Sequence, residues 1–172
     1  FPTFRRMPEL PEVETTVRGL AAVLDGAQLT RVEPRRADLR RPIPVDLRQR
    51  MQGATVTGLG RRAKYGLIHT DRGDTLIFHL GMSGSWQINP SEIGKHGHLV
   101  VETGAGHVLV LDDPRRFGSL DLVRTDEVAR FGSFVTMGPE PLGDDFTADI
   151  LAQALAGRAA PIKALLLDQR VV

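Results

Sequence analysis

The chain has 172 residues, of which 41% are hydrophobic and 25% charged, and its net charge is +1; this fits one globular domain with part of a second and excludes a disordered or fibrous protein. It contains no cysteine, which excludes disulfide bonds and thiolate metal sites within the chain. No apolar run approaches the ~20 residues of a membrane span, so the sequence predicts a soluble, intracellular protein.

The first predicted element is an amphipathic helix. Pro11 suits the first position of a helix, and apolar residues recur at helical spacing from Val13 to Leu24, where Gly26 ends the pattern.

Short β-rich segments separated by glycines and other turn residues follow this helix. They are residues 27–33, 54–60, 65–70, 75–80, 85–88, 98–103, 107–112 and 119–124. Short helices are predicted between them at 45–51 and 125–131. Many short, evenly spaced strands indicate a β-sandwich or barrel.

The character of the sequence changes near residue 138. Residues 138–145 are rich in proline, glycine and acids, which predicts a linker. Helical periodicity follows at 149–157 and 161–169, the latter with Pro161 at its start. We therefore expect a β-rich domain at 7–138 and a linker with helices at 139–172.

Many of the cations of the chain are crowded within one third of its length. Ten of them lie between residues 31 and 64: Arg31, Arg35, Arg36, Arg40, Arg41, Arg48, Arg50, Arg61, Arg62 and Lys64. Such a run favours a polyanionic partner, but a solvated face balanced by acids elsewhere explains it equally well.

Residues Met7, Pro8 and Glu9 suggest a specific chemistry. A proline exposed by removal of an initiator methionine carries a secondary amine with a pKa near ~8, which can attack an electrophilic carbon and form an iminium. Glu9 could then move protons as a general acid and base. The alternative is structural, with both prolines stiffening the start of the helix and Glu9 complementing its dipole.

Residues 7–20, MPELPEVETTVRGL, resemble almost letter for letter the amino terminus of the formamidopyrimidine-DNA glycosylase family, bacterial enzymes that remove oxidised purines from DNA. Other motifs match this family in the same order: GRRAKYG at 60–66, HLGMSG at 79–84, KHGH at 95–98, DDPRRFG at 112–118, MGPEPL at 137–142 and IKALLLDQ at 162–169. The resemblance covers essentially residues 7–172. Leu10, where the related endonuclease VIII typically has glycine, favours the purine-specific branch.

The resemblance implies an α+β fold, an antiparallel β-sandwich with an N-terminal helix followed by a truncated helix-two-turns-helix segment. It implies a base-excision repair glycosylase with lyase activity in the bacterial cytoplasm at the nucleoid, acting as a monomer on damaged double-stranded DNA. The Pro8 nitrogen attacks the anomeric carbon, Glu9 transfers protons, and the resulting Schiff base allows β- and δ-elimination. The implied substrates are 8-oxoguanine and formamidopyrimidines opposite cytosine.

The same resemblance assigns roles to five further residues. Lys64 would enter the active site and contact the DNA backbone, and His96 would contact a phosphate. Met82 would fill the space that the damaged nucleotide leaves, Arg115 would face the orphaned base, and Phe117 would wedge between base pairs. From the residues alone, a solvated basic turn remains open for Lys64 and a core position for Met82.

Metal binding is not expected. His96 and His98 lie two residues apart without a third ligand nearby, which is too weak a pattern for a metal site. The family carries a four-cysteine zinc finger further along, which this chain does not contain, so we expect no cofactor here. Gly97 stands where the family commonly has aspartate.

Residues 1–6, FPTFRR, precede the motif. With them attached, the Pro8 nitrogen is a tertiary amide and cannot form an iminium. Our hypothesis is that they are extraneous and that Met7 is the natural start. Because the zinc finger is also missing, the chain as written is expected to be inactive or very weak. The alternatives are a non-catalytic module that binds damaged DNA and a plain β-sandwich interaction domain.

Overall fold

The computed structural model of the chain describes residues 7–172. The chain forms two compact units, the first ending at Val128 and the second running Ala129–Val172. This division falls before the Pro/Gly-rich segment where the sequence places the boundary. The extension predicted at residues 1–6 lies outside the described residues.

Helix α1 spans Leu10–Leu24, as predicted. Glu9 precedes it in an extended conformation, and the Glu9 backbone N–H donates to the Glu12 carboxylate at 3.1 Å, which satisfies a donor at the start of the helix. Gly26 follows the helix with a φ of 72°. One stripe of the helix is buried: Val13, Val17, Leu20 and Leu24. Burial of each of these side chains stabilises the fold by roughly 1.5–3 kcal/mol.

Within the described residues the first unit contains eight strands and a short helix. The strands are β1 (Leu29–Pro34), β2 (Val56–Arg62), β3 (Tyr65–Thr70), β4 (Asp74–His79), β5 (Ser85–Ile88), β6 (Gly97–Thr103), β7 (Val108–Asp112) and β8 (Ser119–Arg124), and α2 is Leu47–Met51. They form two antiparallel sheets, ordered β1-β6-β7-β5 and β2-β3-β4-β8. The predicted antiparallel sandwich with a flanking helix is confirmed.

The core lies between the two sheets. One sheet contributes Val32, Leu99, Val101, Leu109 and Leu111; the other contributes Val56, Ile68, Leu76, Phe78 and Leu120. Alternate residues of each strand face this layer, because successive side chains of a strand point to opposite faces. Helix α1 contacts β2 and β3, so its first turn is held against the β2–β3 hairpin.

The second unit is helical but less regular than expected. The segment predicted as a helix at 125–131 is a 3-10 helix, Thr125–Arg130, across the division. It is followed by α3 (Gly132–Val135), α4 (Ala148–Leu155) and α5 (Ile162–Leu166). The helix predicted over 161–169 stops early, because the chain after Leu166 folds back and the Gly138 N–H donates to the Gln169 carbonyl at 2.8 Å. Among residues 7–172, no helix combines the length and apolarity that crossing a bilayer requires.

Candidate active site

Pro8 and Glu9 lie directly before α1, and Lys64 reaches them from the β2–β3 hairpin. The Lys64 ammonium forms an ion pair with Glu9 Oε2. The two side chains remain 27% and 43% exposed, so a substrate can reach both. The structure thus brings Lys64 to Glu9, which lies 55 positions earlier in the sequence and directly follows Pro8. This corner therefore combines a carboxylate and a cation next to the proline.

The hairpin that carries Lys64 is anchored by Arg61. Arg62 and Tyr65 pair across a two-residue turn in which Ala63 adopts a φ of 49°. Arg61 donates from Nη1 to the Ala63 carbonyl at 3.0 Å and from Nε to Glu14 on α1 at 2.7 Å. Because Arg61 is only 5% exposed, it fixes the hairpin to the helix rather than adding to a solvated basic turn.

Glu14 is ionised by its neighbours. The Arg61 guanidinium, followed by that of Arg18, holds the pKa of the Glu14 carboxyl below its usual value. Arg18 is 78% exposed, whereas Arg61 is buried, so the two ion pairs differ in solvation around the same carboxylate. The buried pair is the one that links α1 to the hairpin.

Replacing Arg61 with alanine is expected to lower the free energy of unfolding by about 2 kcal/mol, because the buried Arg61 side chain is lost and the partly exposed Glu14 carboxylate loses its main hydrogen-bond partner. Urea denaturation measures the change. Arg18→Ala is the matched control and should cost less than about 0.5 kcal/mol, as exposed helix pairs do. Equal losses for the two variants would contradict the anchoring role.

His79 is a residue of this corner that the sequence analysis did not single out. Its Nδ1 accepts the Gly81 N–H at 3.0 Å, which places the ring proton on Nε2, and its ring centroid lies 4.7 Å from that of Tyr65. Burial, then the charges of Lys64, Arg40 and Arg41, lower the pKa of His79. The imidazole is therefore neutral near pH 7. In the sequence, His79 could have been recognised as a site residue because it is the first residue of the HLGMSG motif.

A cleft of about 240 Å³ opens beside Pro8. One wall is the first turns of α1 and the other is the segment after β4. Its lining comprises Pro8, Glu12, Thr16, Leu80, Met82, Ser83, Gly84 and Ser85. Open space therefore adjoins Pro8.

Met82, Arg115 and Phe117 lie on two adjoining loops. The apolar side chains of Met82 and Phe117 are 38% and 42% exposed. The core position that remained possible for Met82 from the sequence is therefore wrong. The Arg115 guanidinium lies 4.7 Å from the centroid of the Phe117 ring, as a cation over an aromatic face. Exposed apolar side chains beside an arginine are suited to bind a molecule that has both flat apolar faces and polar edges.

His96 lies in the turn directly before β6 and is partly exposed. Its carbonyl accepts the Asp113 N–H at 3.0 Å. His98 is buried, and its ring centroid lies 6.5 Å from that of His96. In the part of the chain that the structure describes, no group of three or more potential ligands could hold a metal ion.

The structure also explains Gly97. A Cβ at this position would lie 2.7 Å from Val110 Cγ1 and 2.9 Å from Ile93 Cγ2. Both methyl groups belong to β-branched side chains that cannot rotate away freely. The space that a side chain would need here is therefore filled by apolar atoms.

The basic run divides between structural and accessible cations. At least six of its ten members pair with carboxylates within the first unit: Arg31, Arg36, Arg41, Arg50, Arg61 and Lys64. Charge crowding alone therefore does not mark a binding face. The position of Lys64 beside Glu9 is more informative than the run that contains it.

Comparison with known proteins identifies close relatives. The sequence model described as "Formamidopyrimidine-DNA glycosylase N-terminal domain" matches residues 7–120. A protein of Rhizorhabdus wittichii named formamidopyrimidine-DNA glycosylase is 72% identical over 166 residues, which are 96% of this chain and 62% of that protein. One of Sphingopyxis alaskensis, with the same name, is 66% identical over the same shares. The chain thus spans 62% of the length of these two relatives.

Solved structures give the same result for the fold. The Lactococcus lactis formamidopyrimidine-DNA glycosylase bound non-covalently to DNA containing an AP site is 30% identical, with a TM-score of 0.83 over 96% of this chain and 64% of that chain. The wild-type Lactococcus lactis protein in complex with DNA containing N7-benzyl-Fapy-dG is 31% identical with a TM-score of 0.83, over 96% and 62%.

Proposed function

Because the chain belongs to the formamidopyrimidine-DNA glycosylase family, we propose that it carries the catalytic part of a base-excision repair enzyme that removes oxidised purines from double-stranded DNA. One observation carries the proposal: Pro8 lies directly before α1, next to the Glu9–Lys64 ion pair, and lines a cleft. The DNA complexes of the Lactococcus lactis proteins support DNA as the partner.

The proposed reaction starts at the Pro8 nitrogen. When Pro8 is the first residue, this nitrogen is a secondary amine with a free lone pair. It attacks the anomeric carbon of the damaged nucleoside, the bond to the base breaks, and the base departs with a proton. The bond between the anomeric carbon and the ring oxygen then breaks, the ring oxygen takes up a proton, and the nitrogen lone pair forms an iminium with that carbon. The iminium acidifies the protons on the neighbouring carbon and allows β- and then δ-elimination, so that the strand is cut.

Glu9 transfers protons during this reaction, and Lys64 contacts the negatively charged DNA backbone. The Glu9 carboxylate is adjacent to the nucleophile, so it accepts and returns protons as the sugar ring opens. Lys64 pairs with Glu9 and is partly exposed, so its ammonium can also contact the phosphate beside the lesion. A phosphate contact at this point fixes the register of the sugar on the Pro8 nitrogen.

The two adjoining loops, which carry Met82, Arg115 and Phe117, would insert these side chains into the DNA duplex. Extruding a nucleotide costs a few kcal/mol of lost stacking and pairing. Met82 would fill the vacated space, Phe117 would stack between base pairs, and Arg115 would donate to the acceptor edge of an orphaned cytosine. The implied lesions are 8-oxoguanine and ring-opened purines opposite cytosine, and His96 would contact the backbone.

Borohydride trapping tests the proposal, because borohydride reduces an iminium to a permanent bond. The protein is a chain beginning at Pro8, extended with the remaining residues of the Rhizorhabdus wittichii relative, on a duplex with 8-oxoguanine opposite cytosine. We expect a crosslink that is lost when residues 1–7 precede Pro8 and is weakened by Glu9→Gln. Pro8→Gly, which retains a primary amine, should crosslink more slowly.

Two outcomes would contradict the proposal. A crosslink of equal yield with and without residues 1–7 would show that another amine is the nucleophile. Tight binding to the lesion duplex with no crosslink from any version would establish the non-catalytic alternative, a module that binds damaged DNA.

Replacing Lys64 with alanine is expected to weaken binding to any duplex about tenfold and to reduce the dependence of log Kd on log salt by about one unit, as loss of one phosphate contact does. Fluorescence anisotropy at several salt concentrations measures both quantities. Arg48→Ala removes an exposed cation of α2, outside the motifs predicted to contact DNA, and serves as the control. An unchanged salt slope for Lys64→Ala would confine Lys64 to its pair with Glu9.

A further inference from the structure

The buried carboxylate of Asp113 joins the two loops that carry the exposed apolar side chains. We call residues 80–84 the Met82 loop and residues 113–118 the Phe117 loop. Asp113 is 1% exposed. Its Oδ1 accepts the Ser83 hydroxyl at 2.6 Å, and its Oδ2 accepts the Gly118 N–H at 2.8 Å. One carboxylate therefore bonds to both loops at once.

Ser83 closes the arrangement from the other side. Its Oγ donates to Asp113 and accepts the Arg115 N–H at 3.1 Å. The hydroxyl of the Met82 loop is thus bonded to two residues of the Phe117 loop, one of which is predicted to face DNA. Hydrogen bonds to a charged acceptor in a buried site are among the stronger ones.

Asp113 is itself held in place by the first sheet. His98 on β6 bonds through Nε2 to the Asp113 carbonyl at 2.9 Å, and the same carbonyl accepts the Arg116 N–H at 3.2 Å. Arg116 adopts a φ of 58°, which a side chain of its size rarely does. The Phe117 loop is therefore a constrained turn, anchored at its first residue to a core strand.

Two glycines let the loops approach without intervening side chains. A Cβ on Gly81 would lie within 2.6 Å of the Phe117 carbonyl and the Gly118 amide nitrogen. A Cβ on Gly118 would lie 2.7 Å from the His79 carbonyl oxygen. The backbones therefore lie too close together at these two positions to admit a side chain.

We propose that Asp113 and Ser83 are positioning residues that clasp the Met82 loop to the Phe117 loop, so that Met82, Arg115 and Phe117 enter a damaged duplex as one preorganised unit. The inference rests on the proposed function. A unit that is already ordered loses little conformational freedom on binding, so more of its contact energy is available to offset nucleotide extrusion. The clasp should therefore favour damaged DNA over intact DNA and leave phosphate binding unchanged.

The test compares Ser83→Ala with Ser83→Thr in the extended protein defined above. The quantity measured is the ratio of affinities for a duplex with a tetrahydrofuran abasic analogue opposite cytosine and for the same duplex undamaged, at one salt concentration. Ser83→Ala should reduce this ratio about tenfold, since it removes a hydrogen bond to a buried carboxylate. Ser83→Thr retains the hydroxyl and should keep the ratio within about twofold of wild type.

The same substitution made in a second variant shows whether Ser83 acts by positioning the Phe117 loop or by contacting DNA itself. In a Phe117→Ala protein the wedge is already lost, so Ser83→Ala should have little additional effect if it acts through the Phe117 loop. An undiminished Ser83→Ala effect in that background would overturn the inference, as would a Ser83→Ala ratio equal to wild type. A wild-type protein without preference for the abasic duplex would overturn both this inference and the proposed function, whereas borohydride trapping reports on the proposed function alone.

Discussion

Replacing Gly66 with alanine is expected to lower the free energy of unfolding by about 3 kcal/mol, the upper part of the range for overpacked cores. Gly66 on β3 pairs directly with Phe78 on β4. An alanine Cβ would lie within 2.6 Å of three atoms of the Phe78 ring. Phe78 is fully buried and its ring packs edge-on against Trp86 with centroids 5.7 Å apart, so the ring has little room to move aside.

Gly60→Ala is the matched control for Gly66→Ala. Gly60 is also a strand glycine, on the neighbouring β2, but an added Cβ would find its nearest neighbour at 3.6 Å, an ordinary contact. The free energy of unfolding, measured by urea denaturation, should therefore change by less than about 1 kcal/mol for Gly60→Ala. Adding Phe78→Leu to Gly66→Ala should cost less than the sum of the single changes. Similar losses at the two glycines would contradict the packing account.

Replacing Asp74 with alanine is expected to lower the free energy of unfolding at neutral pH by about 3 kcal/mol, as breaking a buried ion pair does. Asp74 is 5% exposed. Its carboxylate accepts Arg50 at 2.6 Å and Arg124 at 3.1 Å, so it joins α2 to β8. Asp46→Asn is the control, because Asp46 also pairs with Arg50 but is 45% exposed, and it should cost less than about 1 kcal/mol.

The pH dependence of the Asp74 contribution has a defined sign. Arg50, and then Arg124, lower the pKa of Asp74 from its usual value of 3.8. A carboxyl with a lowered pKa in the folded state contributes its full stabilisation above the unfolded pKa and loses it as the pH falls through the folded pKa. The difference in unfolding free energy between wild type and Asp74→Asn should thus be constant above about pH 5 and shrink below pH 3.8. A difference that grows on acidification would contradict this assignment.

Elements with strong local patterns could be predicted from the sequence. The apolar stripe of α1 and the alternation in segments such as residues 65–70 specify helix and strand without tertiary information. The segment 125–131 was predicted as a helix but is a 3-10 helix, because a single short turn carries too little periodicity to distinguish the two. The helix predicted over 161–169 is longer than the observed α5, because the apolar run continues beyond Leu166, where the backbone turns.

The site itself depended on contacts between distant residues. Sequence motifs pointed to Pro8, Glu9 and Lys64, but the Glu9–Lys64 pair follows from the register of the β2–β3 hairpin against α1. Arg61 appeared to belong to a basic turn, and only its distance to Glu14 shows that it anchors the hairpin. The bonds of Asp113 to Ser83 and Gly118 likewise span loops that no local pattern connects.

If the Pro8 nitrogen is the nucleophile, as we propose, the residue that carries the reduced adduct must be Pro8. The borohydride-treated complex would be digested with nuclease and protease, and the modified peptide sequenced by tandem mass spectrometry. We expect the sugar remnant to be attached to the amino-terminal proline of a peptide beginning PELPEVE. An adduct on Lys64, or on any other lysine, would contradict it.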